Sequence, residues 1–272
     1  MTAAVQGTSL RSMLTDGCLH AGHFVVEFAT PGIGHLLAGA GAEFCFLDME
    51  HSGFSFETVK AALRYLQAAE VPAVVRVPSK AYDHVARALD MGAEGIMVPM
   101  LGTAEEAAAL VRHAKYPPEG ARGCAFGIAH DRYRPGPAAG KMAEANARTA
   151  VFALVETAEG ARNADAIAAT PGVDCVWVGH FDLSASLGVP GDFANPAYRS
   201  ALEGIRDAAA RHGRAFGRLV ANMAEAEQAA RDGFGMIAYG GDLWLLQAAL
   251  AEGVRGVRAL DAARHPTQGR PS

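Results

Sequence analysis

FALVETAEGARNADAIAATPGVDCVWVGHFDLSASLG, residues 152–188, places two short apolar runs, 152–157 and 175–179, on either side of an Ala- and Glu-rich helical stretch. Runs of this kind, near-continuously apolar and separated by a helix, fit parallel strands buried on both faces. Each run ends on charge: Glu156 after the first, His180-Phe181-Asp182 after the second. Working outward, the pattern recurs along the chain. HFVVEF (23–28), FCFLDM (44–49), AVVRV (73–77) and GIMVPM (95–100) precede the quoted stretch, and AFGRLV (215–220) and GMIAYG (235–240) follow it. Eight strand–helix units predict a closed (β/α)8 TIM barrel, an α/β fold. A doubly wound sheet also alternates in this way, but it would be expected to carry a G-x-G-x-x-G turn after its first strand, and this chain has none.

A chain of 272 residues suits one such barrel, so residues 1–272 are read as a single domain. Helix starts follow most strands: Thr30-Pro31, the capping box Thr103-x-x-Glu106, Asn195-Pro196, Asn222-x-x-Glu225 and Asp242. Gly92, Gly213 and Gly233 are placed to end helices in the left-handed conformation. Two segments break the rhythm, a Pro/Gly/Arg-rich loop at 116–137 and an added helix at 138–149. Residues 264–272 read as a disordered tail.

Half of the residues are hydrophobic and 19% are charged, which supports a large core; the net charge is −5 and no basic run could track a phosphate backbone, so no nucleic-acid partner is expected. The 4 cysteines form no C-x-x-C pair; Cys45 and Cys175 fall in apolar runs as core residues. No stretch is apolar for 18 residues, and MTAAVQGTSLRSML at the N-terminus lacks a continuous apolar run, so neither a membrane span nor a secretory signal is expected. The expectation is a soluble cytoplasmic protein with reduced thiols.

Active sites of these barrels lie at the C-terminal strand ends. There the sequence offers Asp48-Met49-Glu50-His51, Arg76, Glu156 and Asp182. Charges at the ends of apolar runs need partners. Glu156 and Asp182 come from consecutive strands, and two carboxylates with water make a hard ligand set for Mg²⁺ or Mn²⁺. Each acid alone also fits a plain helix cap. His51 is either a general base, oriented by Asp48 or Glu50, or a structural histidine. Arg76 either pairs with Glu156 or stabilises an oxyanion. Asp90 reads on its own as a helix-end acid. Six other histidines, His20, His35, His84, His113, His212 and His265, are expected in helices or loops at the surface. Lysine occurs only at Lys60, Lys80, Lys115 and Lys141, none within a strand run. A Schiff-base mechanism needs a desolvated lysine in the barrel, so enolate stabilisation falls to a metal.

LDMEHSGFS, VRVP, ALDMGAEGIMVPML, YPPEGARG, VETAEG and VWVGHFDLSASLG, in this order between residues 44 and 242, resemble the HpcH/HpaI aldolase family. The resemblance implies a class II aldolase that makes or cleaves 4-hydroxy-2-oxo acids from a 2-oxo acid and an aldehyde, with Mg²⁺, Mn²⁺ or Co²⁺ as cofactor. It implies Glu156 and Asp182 as metal ligands, His51 as the catalytic histidine and Asp48 and Asp90 as the acids linked to it. It further implies Arg76 facing the keto oxygen, and a substrate-binding turn Gly179-His180-Phe181-Asp182 whose Phe181 and Asp182 amides hold the carboxylate. It also implies a homo-hexamer with the last helix swapped between subunits. One departure stands out: many members carry Gly-Pro-Ala-Asp at this turn, so the bulkier His180 and Phe181 are expected to reshape the aldehyde side of the pocket. Alternatives are an oxaloacetate decarboxylase, a CoA-ester lyase like the citrate lyase β chain and, from another class, a catalytically silent barrel acting as scaffold or sensor.

Overall fold

The computed structural model describes residues 9–264. Eight strands pair in chain order, each parallel to the next, as one closed barrel. They are β1 (His20–Val25), β2 (Phe44–Asp48), β3 (Ala73–Arg76), β4 (Gly95–Val98), β5 (Ala150–Val155), β6 (Cys175–Val178), β7 (Ala215–Val220) and β8 (Met236–Gly241). The helices are α1 (Leu10–Met13), α2 (Ile33–Gly39), α3 (Phe56–Ala68), α4 (Tyr82–Asp90), α5 (Ala104–Ala114), α6 (Ala138–Arg148), α7 (Ala158–Arg162), α8 (Ala164–Ala169), α9 (His180–Ser186), α10 (Pro196–Arg211), α11 (Met223–Arg231) and α12 (Asp242–Arg264). The added helix expected at 138–149 is α6. The tail after Arg264 lies outside the described residues, as does His265.

Local chemistry sets the helix starts. Ser55, Thr103, Thr157 and Asn222 each accept a hydrogen bond from the amide three residues on. The first barrel helix differs from expectation: α2 starts at Ile33 with Gly32 as its cap, so Pro31 precedes it. β1 also differs, beginning at His20, earlier than the apolar run suggested. His20 is therefore a strand residue. It is buried between Glu43 (2.8 Å) and Asp16 (3.0 Å), which outweigh desolvation and hold its pKa above the usual imidazole value.

The two-residue strand period sends alternate side chains into the barrel. Phe24, Phe44, Phe46, Phe152 and Trp177 fill it. Phe46 sits at the centre of this packing, stacked on Phe24 at 4.5 Å and edge-on to Phe152 at 5.6 Å. Gly22 and Gly217 face the rings of Phe44 and Trp177, where any Cβ would overlap them. α1 closes the bottom: Leu10 and Met13 are buried there, and Arg11 reaches Asp174 at 3.0 Å. Lys115 is buried at this end too, its Nζ donating to the carbonyls of Asn146 and Thr149 at 2.6 Å; burial pushes its pKa down to about 8. With the bottom closed and the middle filled by aromatics, the C-terminal strand ends are the open mouth. The next inward positions there are Asp48, Arg76 and Glu156.

α12 leaves the barrel. Asp242 ties its start to the β1 end by accepting from the amides of Val26, Glu27 and Phe28. From Leu246 to Leu260 every side chain is exposed, including Leu246, Leu250, Val254, Val257 and Leu260. Those five recur at helical spacing and form one apolar stripe with no partner among the described residues.

Candidate active site

β2 and β3 are in register with Asp48 opposite Arg76, and both side chains point inward. Asp48, 1% exposed, takes Arg76 in a two-point clamp: Nε to Oδ1 at 2.8 Å and Nη2 to Oδ2 at 2.7 Å. Two parallel charge-assisted bonds fix the guanidinium plane. The third nitrogen, Nη1, lies 3.1 Å from Glu50 Oε2. Burial opposes the arginine's charge, but the Asp48 bonds and the charges of Asp48 and Glu50 prevail, holding its pKa above the ordinary value. The expected alternative partner, Glu156, makes no direct pair with Arg76.

Glu156 follows β5 and is 2% exposed. Its Oε1 accepts the amide of Met100 at 2.7 Å, while Oε2 packs on Gly179, where a Cβ would overlap it. Helix α7 is capped by Thr157, so Glu156 is not a cap. Burial pushes the Glu156 carboxyl up to about 7; the Met100 amide and Arg76 work against this, and the charges of Glu50 and Asp182 add to it. Glu50 is raised as well, chiefly by burial, although Arg76 and His51 oppose the shift. Asp182 lies in the first turn of α9, exposed, close enough for its charge to act on both Glu50 and Glu156.

Asp48, Glu50 and Glu156 thus put their charge on one guanidinium, and Asp182 adds its own to Glu50 and Glu156. Asp48 is taken up by Arg76 and by the Glu50 amide, Glu50 Oε2 is buried with its ion contact to Arg76, Glu156 Oε2 accepts no hydrogen bond among the described residues, and Asp182 is exposed. This unbalanced negative charge and these oxygen donors fit a divalent cation. Among the described residues no three His, Cys, Asp or Glu side chains are gathered closely enough to hold a metal by themselves.

Other residues lie differently from expectation. His51 stands at the rim with a 61% exposed side chain, and its nearest carboxylate is Glu50, Nε2 to Oε2 at 3.7 Å, not Asp48. Asp90 ends α4, which runs from the mouth back to the bottom of the barrel. It pairs there with the buried Arg122 at 2.5 Å, so within one chain it does not reach His51. His180 turns away from the mouth: its ring packs on Phe193 at 5.3 Å, and Phe193 in turn on Tyr198 of the helix layer. Burial there, with Arg218 nearby, lowers its pKa to about 4. Of the two bulky residues in the turn, only Phe181 stands at the rim, 63% exposed. Lys80, after β3, is drawn aside by Glu106 at 2.5 Å, so no lysine enters the mouth among the described residues. The Met100 amide is the site group that sequence reasoning missed; Glu50 is read there only as one of two acids that could orient His51. Glu50 had a signal, lying between two candidates in DMEH; the amide had none.

The family model for the HpcH/HpaI aldolase/citrate lyase family matches residues 24–249, the barrel from β1 into α12. The chain belongs to this family. It is an enzyme, a carbon–carbon lyase of the aldolase type. A hydroxypyruvate/pyruvate aldolase of Chromohalobacter salexigens is 38% identical over 227 residues, 84% of this chain and 89% of that protein. A 5-keto-4-deoxy-D-glucarate aldolase of Shigella boydii is 35% identical over 214 residues, 79% of this chain and 82% of that one. The crystal structure of an HpcH/HpaI aldolase from Desulfitobacterium hafniense superposes with a TM-score of 0.87 at 32% identity, covering 93% of this chain and 97% of that one.

Proposed function

We propose that this aldolase is a class II enzyme that cleaves or forms 4-hydroxy-2-oxo acids through the enolate of pyruvate or a close 2-oxo acid, with Mg²⁺, Mn²⁺ or Co²⁺ held by Glu156 and Asp182. The observation that carries the reading is the surplus of carboxylates around Arg76 in a mouth without lysine. Names of relatives support the donor, since hydroxypyruvate and pyruvate stand in one of them. When bound, the cation supplies positive charge against which a keto oxygen can become an enolate oxygen.

This chain's own residues do the rest. Asp48 and Glu50 hold Arg76 rigid at the mouth, so its charge is ready as the enolate forms and needs no reorganisation. The first-turn amides of Phe181 and Asp182 bind the substrate carboxylate. His51 takes the proton of the C4 hydroxyl, with Glu50 as the carboxylate nearest its ring. The exposed stripe of α12 docks on a second copy, as in a homo-hexamer with exchanged last helices.

Chelation tests the reading. EDTA should abolish cleavage, and Mg²⁺, Mn²⁺ or Co²⁺ should restore it. A borohydride-trapped pyruvate adduct would refute it by showing a Schiff base. Turnover of a CoA ester, with none of any 4-hydroxy-2-oxo acid, would replace it with the lyase alternative.

A further inference from the structure

Met100 has a left-handed backbone, φ +57°. A residue with a Cβ is disfavoured there, and an isolated case that persists points to a constraint around it. The other non-glycine residues of this kind follow helical turns: Glu70 comes after α3, and Arg132 and Tyr133 after a short 3₁₀ turn at Ala129–Asp131. Left-handed residues are common at helix ends. Met100 instead follows a strand, β4. Its side chain gives no reason for the conformation, being 48% exposed.

The backbone does give one. On one side of Met100 the chain is held in β4. On the other, the Leu101 amide donates to the Leu154 carbonyl at 3.2 Å, and the Gly102 amide to Glu106 Oε2 at 2.8 Å. Between these anchors the left-handed turn aims the Met100 N–H across to Glu156, reaching Oε1 at 2.7 Å. Gly179 backs the other oxygen, Oε2, from β6. The carboxylate is therefore held from both neighbouring strands, with Oε1 carrying the Met100 hydrogen bond and none reaching Oε2 among the described residues.

We propose that Met100 is a positioning residue whose left-handed backbone N–H occupies Glu156 Oε1, so that Glu156 presents only Oε2 to the cation. This rests on the reading of Glu156 as a ligand. It makes the backbone at position 100, not the methionine side chain, the determinant of metal affinity.

The test measures Mn²⁺ binding by titration calorimetry, with thermal melting of the metal-free protein alongside. Replacing the Met100 amide by an ester, through incorporation of the α-hydroxy analogue of methionine, removes the N–H and keeps the side chain. Affinity should fall about tenfold or more, the scale of one lost charge-assisted hydrogen bond. Met100→Gly keeps the N–H and relieves the strain, so it should bind Mn²⁺ within about twofold of the wild type. An ester variant with unchanged affinity, or a Met100→Gly variant as weak as the ester, overturns the proposal. Glu156→Ala is run in parallel. If it keeps full Mn²⁺ affinity, the ligand assignment fails and the proposal with it. If it loses affinity while the ester does not, only the role of Met100 fails.

Discussion

Gly179→Ala is a one-methyl perturbation with its damage confined to the candidate ligand. Gly179 has φ −86°, outside the left-handed region that favours glycine, so a left-handed backbone is not what excludes alanine there. The added Cβ would lie 2.7 Å from Glu156 Cβ and would overlap Oε2, whereas ordinary contact begins near 3.4 Å. Glu156 must therefore retreat by roughly 1 Å, and it has little room, being buried and held from β4 by Met100. Overpacking of this kind costs about 1–3 kcal/mol, and in a chain of this size each lost kcal/mol lowers Tm by about 2–4 °C. A shift of about 1 Å in a group that sets reaction geometry costs on the order of 10²-fold in rate. The expected outcome is a folded protein with modestly lower Tm, weaker Mn²⁺ binding and kcat/KM for aldol cleavage reduced on the order of 10²-fold. Calorimetric titration with Mn²⁺, a thermal melt and steady-state cleavage assays measure the three. Wild-type metal affinity and wild-type activity together would refute the reasoning, since Glu156 would then be neither pinned at Gly179 nor needed where it is.

The remaining predictions concern charge. The Glu156 carboxyl is raised from its usual value to about 7 by burial, so the folded metal-free protein binds this proton more tightly than the unfolded chain does; stability should fall as pH rises from about 4.5 to 7, and Glu156→Gln should flatten that slope in urea titrations. Over the same range Mn²⁺ should bind more tightly as pH rises, because the proton must leave; a pH-independent affinity would remove Glu156 from the ligand set. Arg76→Ala should lower kcat and leave Mn²⁺ affinity in place, whereas a change in KM alone would make Arg76 a uniform binder. His51→Ala should cut aldol cleavage heavily and oxaloacetate decarboxylation much less, because only cleavage removes a hydroxyl proton; equal losses would leave His51 a structural role. Light scattering at micromolar protein should show an oligomer that Val254→Lys with Val257→Lys dissociates, and a monomeric wild type would end the docking role of α12.

The barrel was legible because its signal is periodic and local: alternate side chains of each strand face inward, so a charge that ends an apolar run on the inward phase must stand at the mouth. Asp48, Arg76 and Glu156 obey that rule, and the strand register brings the first two together. The rule is silent once the chain leaves a strand. His180 and Asp182 sit two residues apart on α9, yet one ring is buried in the helix layer and the other side chain is exposed, a split set by packing against Phe193. Asp90 shows the limit from another direction. A helix that follows a strand returns the chain to the opposite end of the barrel, so an acid at its end, near the mouth residues in sequence, is a barrel length from them in space. His20 was misplaced because Ala21 and Gly22, poor strand formers, hide the start of β1, where Gly22 is required by the ring of Phe44. The grip on Glu156 is less visible still, since it uses a backbone amide whose direction depends on the path of the chain and not on which side chain it carries. Side-chain identity thus located the charges of this site, while the features that aim them, the Met100 turn and the space left by Gly179, follow from how three strands close on one another.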